Sequence, residues 1–191
     1  MSRLILASGS PRRAQLLDML GWAFTVVKPD CDETVPPGCA PDDAVRLLAV
    51  RKAETVAARC AADDTIIAAD TLVYLDGRAM GKPDGKAGAY AMLRQLSGRT
   101  HEVYTGLAVR SGGTGGGQRA EAQMTRVTFR PLGDGEIWDY VNSGLPMDKA
   151  GAYGVQDRGA LFVSRIEGDF FSVMGLPLCL LGQMMIMRNE E

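Results

Sequence analysis

The sequence of 191 residues lacks the patterns typical of histidine-rich metal centres, disulfide frameworks and membrane spans. It contains one histidine, His101, which excludes a histidine-rich metal site and argues against a Ser-His-Asp triad. Its four cysteines show no Cys-x-x-Cys spacing, which favours reduced thiols in a cytoplasmic protein over disulfides or a zinc site. No apolar run is long enough to span a bilayer, so we expect no membrane partner.

The sequence also lacks an excess of charge of one sign. Its formal net charge of -2 argues against a protein that coats nucleic acid, although a local basic pocket remains open. Hydrophobic residues make up 46% of the chain, enough for a sizeable core. This length and composition predict one domain over residues 1–191.

The apolar periodicity alternates between strand and helix patterns and then becomes mainly strand-like. Strands are predicted at 4–7, 24–29, 65–75, 78–83, 101–110 and 123–132, with a further strand pair in 159–175 that turns at 167–169. Helices are predicted after Ser10, over 42–60 and 86–98, after a cap at Asp134, and over 177–188. This order predicts a mixed α/β fold around a large twisted sheet, with ligands near strand ends.

The stretch "LILASGSPRR" at 4–13 places two arginines where a helix begins. Ser10 is predicted to cap that helix and Pro11 to occupy its first turn. The backbone N–H groups of a strand-turn-helix junction form a natural anion site. Ser8, Ser10, Arg12 and Arg13 therefore indicate a phosphate site, since guanidinium groups bind phosphate in a bidentate manner. The alternative is that both arginines are ordinary solvated residues of a first turn.

Lys52 interrupts the apolar stripe of the helix predicted over 42–60. The stripe consists of Val45, Leu48, Ala49, Ala53 and Val56. A lysine on a core-facing stripe is rarely found without a partner. Its ammonium therefore either snorkels to solvent from the edge of the stripe or projects into a polar site.

Asp70 interrupts the almost continuous apolar strand "TIIAADTLVYL". A buried carboxylate is costly unless it is paired or binds a cation, so a functional role is favoured over a purely structural one. A tight turn at Asp76-Gly77 would place Lys82 opposite Thr71, on the other face of the strand from Asp70. A bulge at Gly81 would bring Lys82 round, and the sequence leaves both arrangements open.

Two loops hold further candidates. Asp32 and Glu33 are either simply solvated or, near a phosphate site, ligands of Mg²⁺, which typically binds one or two carboxylates together with substrate phosphates. The segment 146–159 carries Asp148, Lys149 and Gln156 among small residues. A glutamine side chain either reads a base edge through its donor and acceptor or ties down a turn. The glycine-rich stretch 111–117 indicates a hairpin tip and not a phosphate loop, because no helix follows it.

Taken together, these segments resemble the Maf family of nucleoside triphosphate pyrophosphatases. The resemblance runs in order over nearly the whole chain, through "LASGSPRR" at 6–13, "DE" at 32–33, "RKA" at 51–53, "AADT" at 68–71, "GKP" at 81–83, "SGRTHEVYTG" at 97–106, "PMDKAGAYGVQ" at 146–156 and "IEGDFFSVMGLPL" at 166–178. It implies a long twisted mixed sheet with flanking helices and a central cleft, as in Maf and ITPase proteins. It also implies a homodimer.

The same resemblance implies roles for individual residues. Asp70 would be the catalytic carboxylate that activates water, and it would share a divalent metal, Mg²⁺ or Mn²⁺, with Glu33. Phosphate roles are implied for Ser8, Arg12, Arg13, Lys52 and Lys82. Nucleotide choice is implied for Arg12, Thr71 and Gln156.

Gln156 resembles the subfamily that acts on dTTP and UTP, which the family hydrolyses to the monophosphate and pyrophosphate. We expect modified pyrimidine triphosphates to be hydrolysed in the same way. Two alternatives remain open: a preference for 7-methyl-GTP, and a nucleotide-binding regulator of septum formation. The sequence favours an enzyme, because an embedded Asp70 suits anion binding poorly unless metal or chemistry requires it.

Overall fold

A computed structural model describes residues 2–189 of the chain as a mixed α/β fold, which confirms the predicted fold class. The strands are β1 (Leu4–Ala7), β2 (Phe24–Val27), β3 (Thr65–Leu75), β4 (Arg78–Met80), β5 (Thr100–Ser111), β6 (Gln118–Phe129) and β7 (Val163–Glu167). The helices are α1 (Pro11–Asp18), α2 (Pro41–Ala57), α3 (Gly85–Leu96), α4 (Asp134–Asn142), α5 (Phe170–Met174) and α6 (Leu178–Asn189), with 3₁₀ turns at Leu145–Asp148, Ala150–Ala152 and Arg158–Phe162. Over residues 2–189, every helix is too short or too polar to cross a membrane.

All seven strands belong to one mixed sheet, in the order β2-β1-β3-β5-β6-β7, with β4 paired to β3. Strand β1 pairs in parallel with β2 and β3, and its last residue, Ala7, lies opposite Ala68. Strand β3 continues beyond this pairing to Leu75, so the turn after β1 leaves the sheet beside the middle of β3, near Asp70.

The chain divides into two compact units. The first consists of Met1–Asp70, Thr105–Gln123 and Gly175–Glu191; the second consists of Thr71–Tyr104 and Met124–Met174. Each unit has its own buried apolar cluster. The expectation of a single domain over residues 1–191 stays a prediction.

In the first unit, helix α2 packs its predicted stripe into the core, and Ala49, Ala53 and Val56 join one cluster with Ile5 and Ile66. Strand β5 lies very close to this helix at Gly106. A Cβ added at Gly106 would lie 2.1 Å from the carbonyl oxygen of Val45. Glycine at this position therefore sets how closely the strand and the helix that carries Lys52 can pack.

The hairpin predicted at Asp76-Gly77 is present in the second unit. Leu75 pairs with Arg78, and both turn residues have positive φ (52° and 73°), as a two-residue type I′ turn requires. The return strand β4 ends at Met80. The paired ladder therefore ends before Lys82, next to Gly81, whose carbonyl accepts a hydrogen bond from the N–H of Gly151. The strand predicted over 78–83 is thus shorter than expected, and both arrangements of Lys82, opposite Thr71 or brought round by a bulge at Gly81, stay predictions.

The strand pair predicted in 159–175 is also wrong in its second half. Strand β7 is present, but the residues after Asp169 form helix α5. The carboxylate of Asp169 accepts hydrogen bonds from the backbone N–H groups of Phe171 (2.7 Å) and Ser172 (3.2 Å). Aspartate caps a helix in this way, and the cap outweighs the strand tendency of the aromatic pair that follows.

Two predicted helix caps are corrected. Ser10 occupies the capping position of α1, but its side chain does not make the capping hydrogen bond. Asp134 is the first residue of α4 rather than its cap. There the carboxylate of Glu136 accepts a hydrogen bond from the N–H of Gly133 instead (2.7 Å).

We expect Gly106→Ala to destabilise the protein, because the new methyl group would overlap the backbone of α2. Overpacking typically costs about 1–3 kcal/mol and occasionally more. The measurement is the midpoint of urea unfolding, with Gly117→Ala as the matched control, because a Cβ there would meet nothing within 4 Å. Equal midpoints for the two variants would show that α2 and β5 are free to move apart.

Candidate active site

The turn after β1 is built around the buried hydroxyl of Ser8. Its Oγ accepts hydrogen bonds from the N–H of Ser10 (3.1 Å) and from Nη1 of Arg13 (3.3 Å). Helix α1 begins directly afterwards at Pro11. The first N–H groups of a helix have no partner within it and, with the helix dipole, favour an anion. The turn therefore combines an anion-binding helix start with a guanidinium held beside it.

Arg13 is fixed at a second point by the far end of the chain. Its Nε donates a hydrogen bond to the carbonyl oxygen of Gly175 (2.7 Å), and Gly175 has a φ of 112°. Burial lowers the pKa of Arg13, while the negative charges of Asp70 and Glu33 oppose that shift. Because arginine stays charged across the physiological range, the site contains a cation that senses both carboxylates.

Lys52 joins the two carboxylates. Its Nζ donates to Oδ1 of Asp70 in a short contact and lies 2.9 Å from Oε1 of Glu33. Lys52 and Asp70 are both buried, whereas the side chain of Glu33 is 63% exposed. The snorkelling interpretation of Lys52 is wrong, because its ammonium ends between carboxylates and not in solvent.

The first unit therefore brings together Asp70, Lys52, Glu33 and the turn with Arg13, although they come from four separate segments of the chain. Arg12 belongs to the same turn, and its charge also lowers the pKa of Arg13. Three cations outnumber two carboxylates in this cluster, which therefore has an excess of positive charge. The cations are Arg12, Arg13 and Lys52, and the carboxylates are Glu33 and Asp70. Such an excess at a helix start favours a ligand with several negative charges.

The carboxylates also suit a divalent metal. Glu33 and Asp70 both contact the same ammonium, so their oxygens converge on one region. Among residues 2–189, no three His, Cys, Asp or Glu side chains come together as a group that could hold a metal ion. Two carboxylates completed by substrate phosphates and water are the ligand set typical of Mg²⁺. The donor set fits the implied metal.

The remaining predicted residues lie in the second unit. Thr71 follows Asp70 in β3 and is half-buried. Lys82 lies after β4 and is exposed. Gln156 lies between two 3₁₀ turns and is also exposed. Their roles in phosphate binding and nucleotide choice stay predictions.

The sequence matches the model of a known protein family, the Maf-like proteins, over residues 3–187. The chain belongs to the Maf-like family. This Maf-like chain is 52% identical over 178 residues to a dTTP/UTP pyrophosphatase of Moorella thermoacetica, covering 93% of this chain and 91% of that protein. It is 48% identical over 178 residues to a dTTP/UTP pyrophosphatase of a Geobacillus species, covering 93% and 94%.

A solved structure, a nucleoside-triphosphatase (dITP/XTP pyrophosphatase) of Mycobacterium abscessus, has a TM-score of 0.42 and 17% identity to this Maf-like chain. The matched region covers 68% of this chain and 75% of the Mycobacterium abscessus protein. A likeness this distant carries no conclusion about the site.

Sequence reasoning missed two groups of contacts in the Maf-like chain. In the segment 146–159, Lys149 lies 2.8 Å from Asp148 and 3.4 Å from Asp157, and the hydroxyl of Tyr140 donates to Asp157 (2.8 Å). This network holds the segment that carries Gln156, and no periodicity pointed to it. Arg51 was missed as well, although it stands next to Lys52 in "RKA"; its contacts are described below.

We expect Lys52→Ala to raise KM and lower kcat, so that kcat/KM falls by about 10- to 100-fold, the loss expected for a hydrogen bond to a charged group. The variant would lack the ammonium that lies between Asp70 and Glu33, and the two carboxylates would face each other without it. Steady-state kinetics and the midpoints of unfolding check this prediction. A second variant, Lys52→Met, retains the apolar part of the side chain, and Lys86→Ala, at an exposed lysine, is the control. Unchanged kinetics would leave Lys52 with a structural role alone.

Proposed function

We propose that this chain is a nucleoside triphosphate pyrophosphatase that hydrolyses dTTP and UTP, and modified pyrimidine triphosphates, to the monophosphate and pyrophosphate. One observation carries the proposal: the buried Asp70 lies against Lys52 in the same cluster as Glu33 and Arg13. The names of the curated relatives, at 48–52% identity over most of the chain, support it.

The cations account for triphosphate binding. Arg13 is held by the hydroxyl of Ser8 and the carbonyl of Gly175, so little side-chain entropy is lost when it meets a phosphate. The N–H groups at the start of α1 add donors on the same side, with Ser10 and Arg12 beside them. Lys52 supplies a further charge, and Lys82 is proposed to contribute another.

Asp70 is proposed as the general base. Its carboxylate takes a proton from a water molecule as the water oxygen forms a bond to the α-phosphorus. The bond from that phosphorus to the bridging oxygen breaks, and pyrophosphate leaves with the electron pair. The ammonium of Lys52 offsets the cost of burying the Asp70 charge. General-base assistance is typically worth ~10²–10⁴ in rate.

Glu33 and Asp70 are proposed to hold a divalent cation, Mg²⁺ or Mn²⁺, at this site. When bound, it would neutralise charge that develops on the phosphate oxygens. The proposal extends to nucleotide choice by Arg12, Thr71 and Gln156, since an exposed glutamine amide offers both a donor and an acceptor to a base edge. We also propose that the protein forms a homodimer. We further propose a cytoplasmic location, because the four free thiols suit a reducing compartment.

The proposal is tested by measuring pyrophosphate release from dTTP, UTP, CTP, ATP, GTP and 7-methyl-GTP, with and without Mg²⁺ or Mn²⁺. We expect metal-dependent release with kcat/KM at least tenfold higher for dTTP and UTP, a preference of about 1.4 kcal/mol. Release from none of the six would favour the nucleotide-binding regulator. A preference for 7-methyl-GTP would contradict the assignment of dTTP and UTP as the preferred nucleotides.

Asp70→Asn should reduce kcat by ~10²–10⁴ because the amide cannot accept the proton. The nucleotide should still bind, as measured by calorimetry with a non-hydrolysable α,β-imido dUTP. Asp76→Asn is the matched control, since it makes the same change at an exposed turn and asparagine tolerates positive φ. Full activity in Asp70→Asn would remove Asp70 from the mechanism.

A further inference from the structure

Arg51 stands directly before Lys52 on helix α2, and the proposed function gives it no role. Successive residues on a helix point about 100° apart, so the two side chains leave α2 in different directions. Their burial agrees with this: the side chain of Lys52 is 9% exposed, whereas that of Arg51 is 31% exposed. Lys52 faces the core, and Arg51 is directed to the loop that follows β2.

That loop carries Glu33. Residues 28–36 form neither helix nor strand, and the side chain of Glu33 is 63% exposed. A glutamate with that freedom loses up to about 2 kcal/mol of rotamer entropy when it is held in one place. The loop alone does not explain why the Glu33 carboxylate lies 2.9 Å from Nζ of Lys52.

Arg51 binds the loop on both sides of Glu33. One nitrogen, Nη1, donates to the carbonyl oxygens of Asp32 (3.3 Å) and Thr34 (2.7 Å). The same nitrogen lies 3.8 Å from the carboxylate of Asp32, whose other oxygen accepts a hydrogen bond from the N–H of Thr34 (2.9 Å). The backbone of the residues on either side of Glu33, Asp32 and Thr34, is thus anchored to helix α2.

We propose that Arg51 is a positioning residue of the active site, which holds the loop so that the Glu33 carboxylate stays beside Lys52 and Asp70. This inference rests on the proposed function and deepens it. Two adjacent residues of one helix then fix one glutamate: Arg51 binds the backbone carbonyls of its neighbours Asp32 and Thr34, and Lys52 binds the Glu33 carboxylate. Arginine suits the task because one guanidinium nitrogen carries two N–H groups in a fixed plane.

The first test is a double-mutant cycle on kcat/KM. We expect Arg51→Ala to lower kcat/KM by about tenfold, as the loss of two hydrogen bonds implies. In a Glu33→Gln background, Arg51→Ala should lower it less than twofold, since the carboxylate it positions is already absent. Arg51→Lys should recover only part of the activity. Equal losses in both backgrounds, or no loss at all, would overturn the proposal.

The second test is independent of turnover. Cleavage after Glu33 by a glutamate-specific protease, followed by mass spectrometry, should be several-fold faster in Arg51→Ala than in the parent protein, because the loop is released. Arg46→Ala is the matched control: Arg46 lies on the same helix but pairs with Asp43 on an exposed face. It should leave both the cleavage rate and kcat/KM unchanged.

The two tests separate the inference from the proposed function. If the parent protein released no pyrophosphate, the proposed function would fail, and the protease measurement would still decide whether Arg51 holds the loop. An unchanged cleavage rate in Arg51→Ala would overturn the inference even in an active enzyme.

Discussion

The site depends on the buried ion pair between Lys52 and Asp70. Either charge alone would be costly where it lies, because Lys52 occupies the apolar stripe of α2 and Asp70 lies in a buried strand. Together they satisfy each other, and they fix helix α2 against β3 at one point. Removing Lys52 would leave the buried charge of Asp70 without this partner, whereas Lys52 would keep its contact with Glu33 if Asp70 were removed. The ion pair places a carboxylate and a cation side by side before any ligand arrives.

The sheet determines what else reaches this pair. The parallel pairing of β1 with β3 ends at Ala7 and Ala68, so the turn with Ser8 leaves the sheet beside Asp70. Arg13 follows on α1 and is held by Gly175, which precedes α6. Residues far apart in the chain therefore meet because strand register, and not local sequence, sets where each segment ends. The charge of Asp70 acts on the pKa of Arg13 for this reason.

The sequence predicts most of what is encoded locally. The strand over 65–75 and the stripe of α2 follow from periodicity, and the burial of Lys52 and Asp70 follows from their places in those patterns. The errors arise where one polar contact overrides a pattern. Asp169 caps a helix within a stretch that reads as strand, and strand β4 ends at Met80, where the neighbouring Gly81 carbonyl bonds to the N–H of Gly151 and not to β3. Arg51 was hidden because its carbonyl partners lie 17 and 19 residues away and carry no side-chain signature.

The contrast between the two carboxylates indicates how the cluster responds to a triphosphate. Before binding, the ammonium of Lys52 is shared by Asp70 and Glu33. Under the proposed function, a polyanion would compete for that ammonium, and Glu33 would change partner at lower cost than Asp70, because its side chain is largely solvated and Asp70 is buried. Arg51 binds the carbonyl oxygens of Asp32 and Thr34 and not the Glu33 carboxylate, so the carboxylate can change partner while the loop is held.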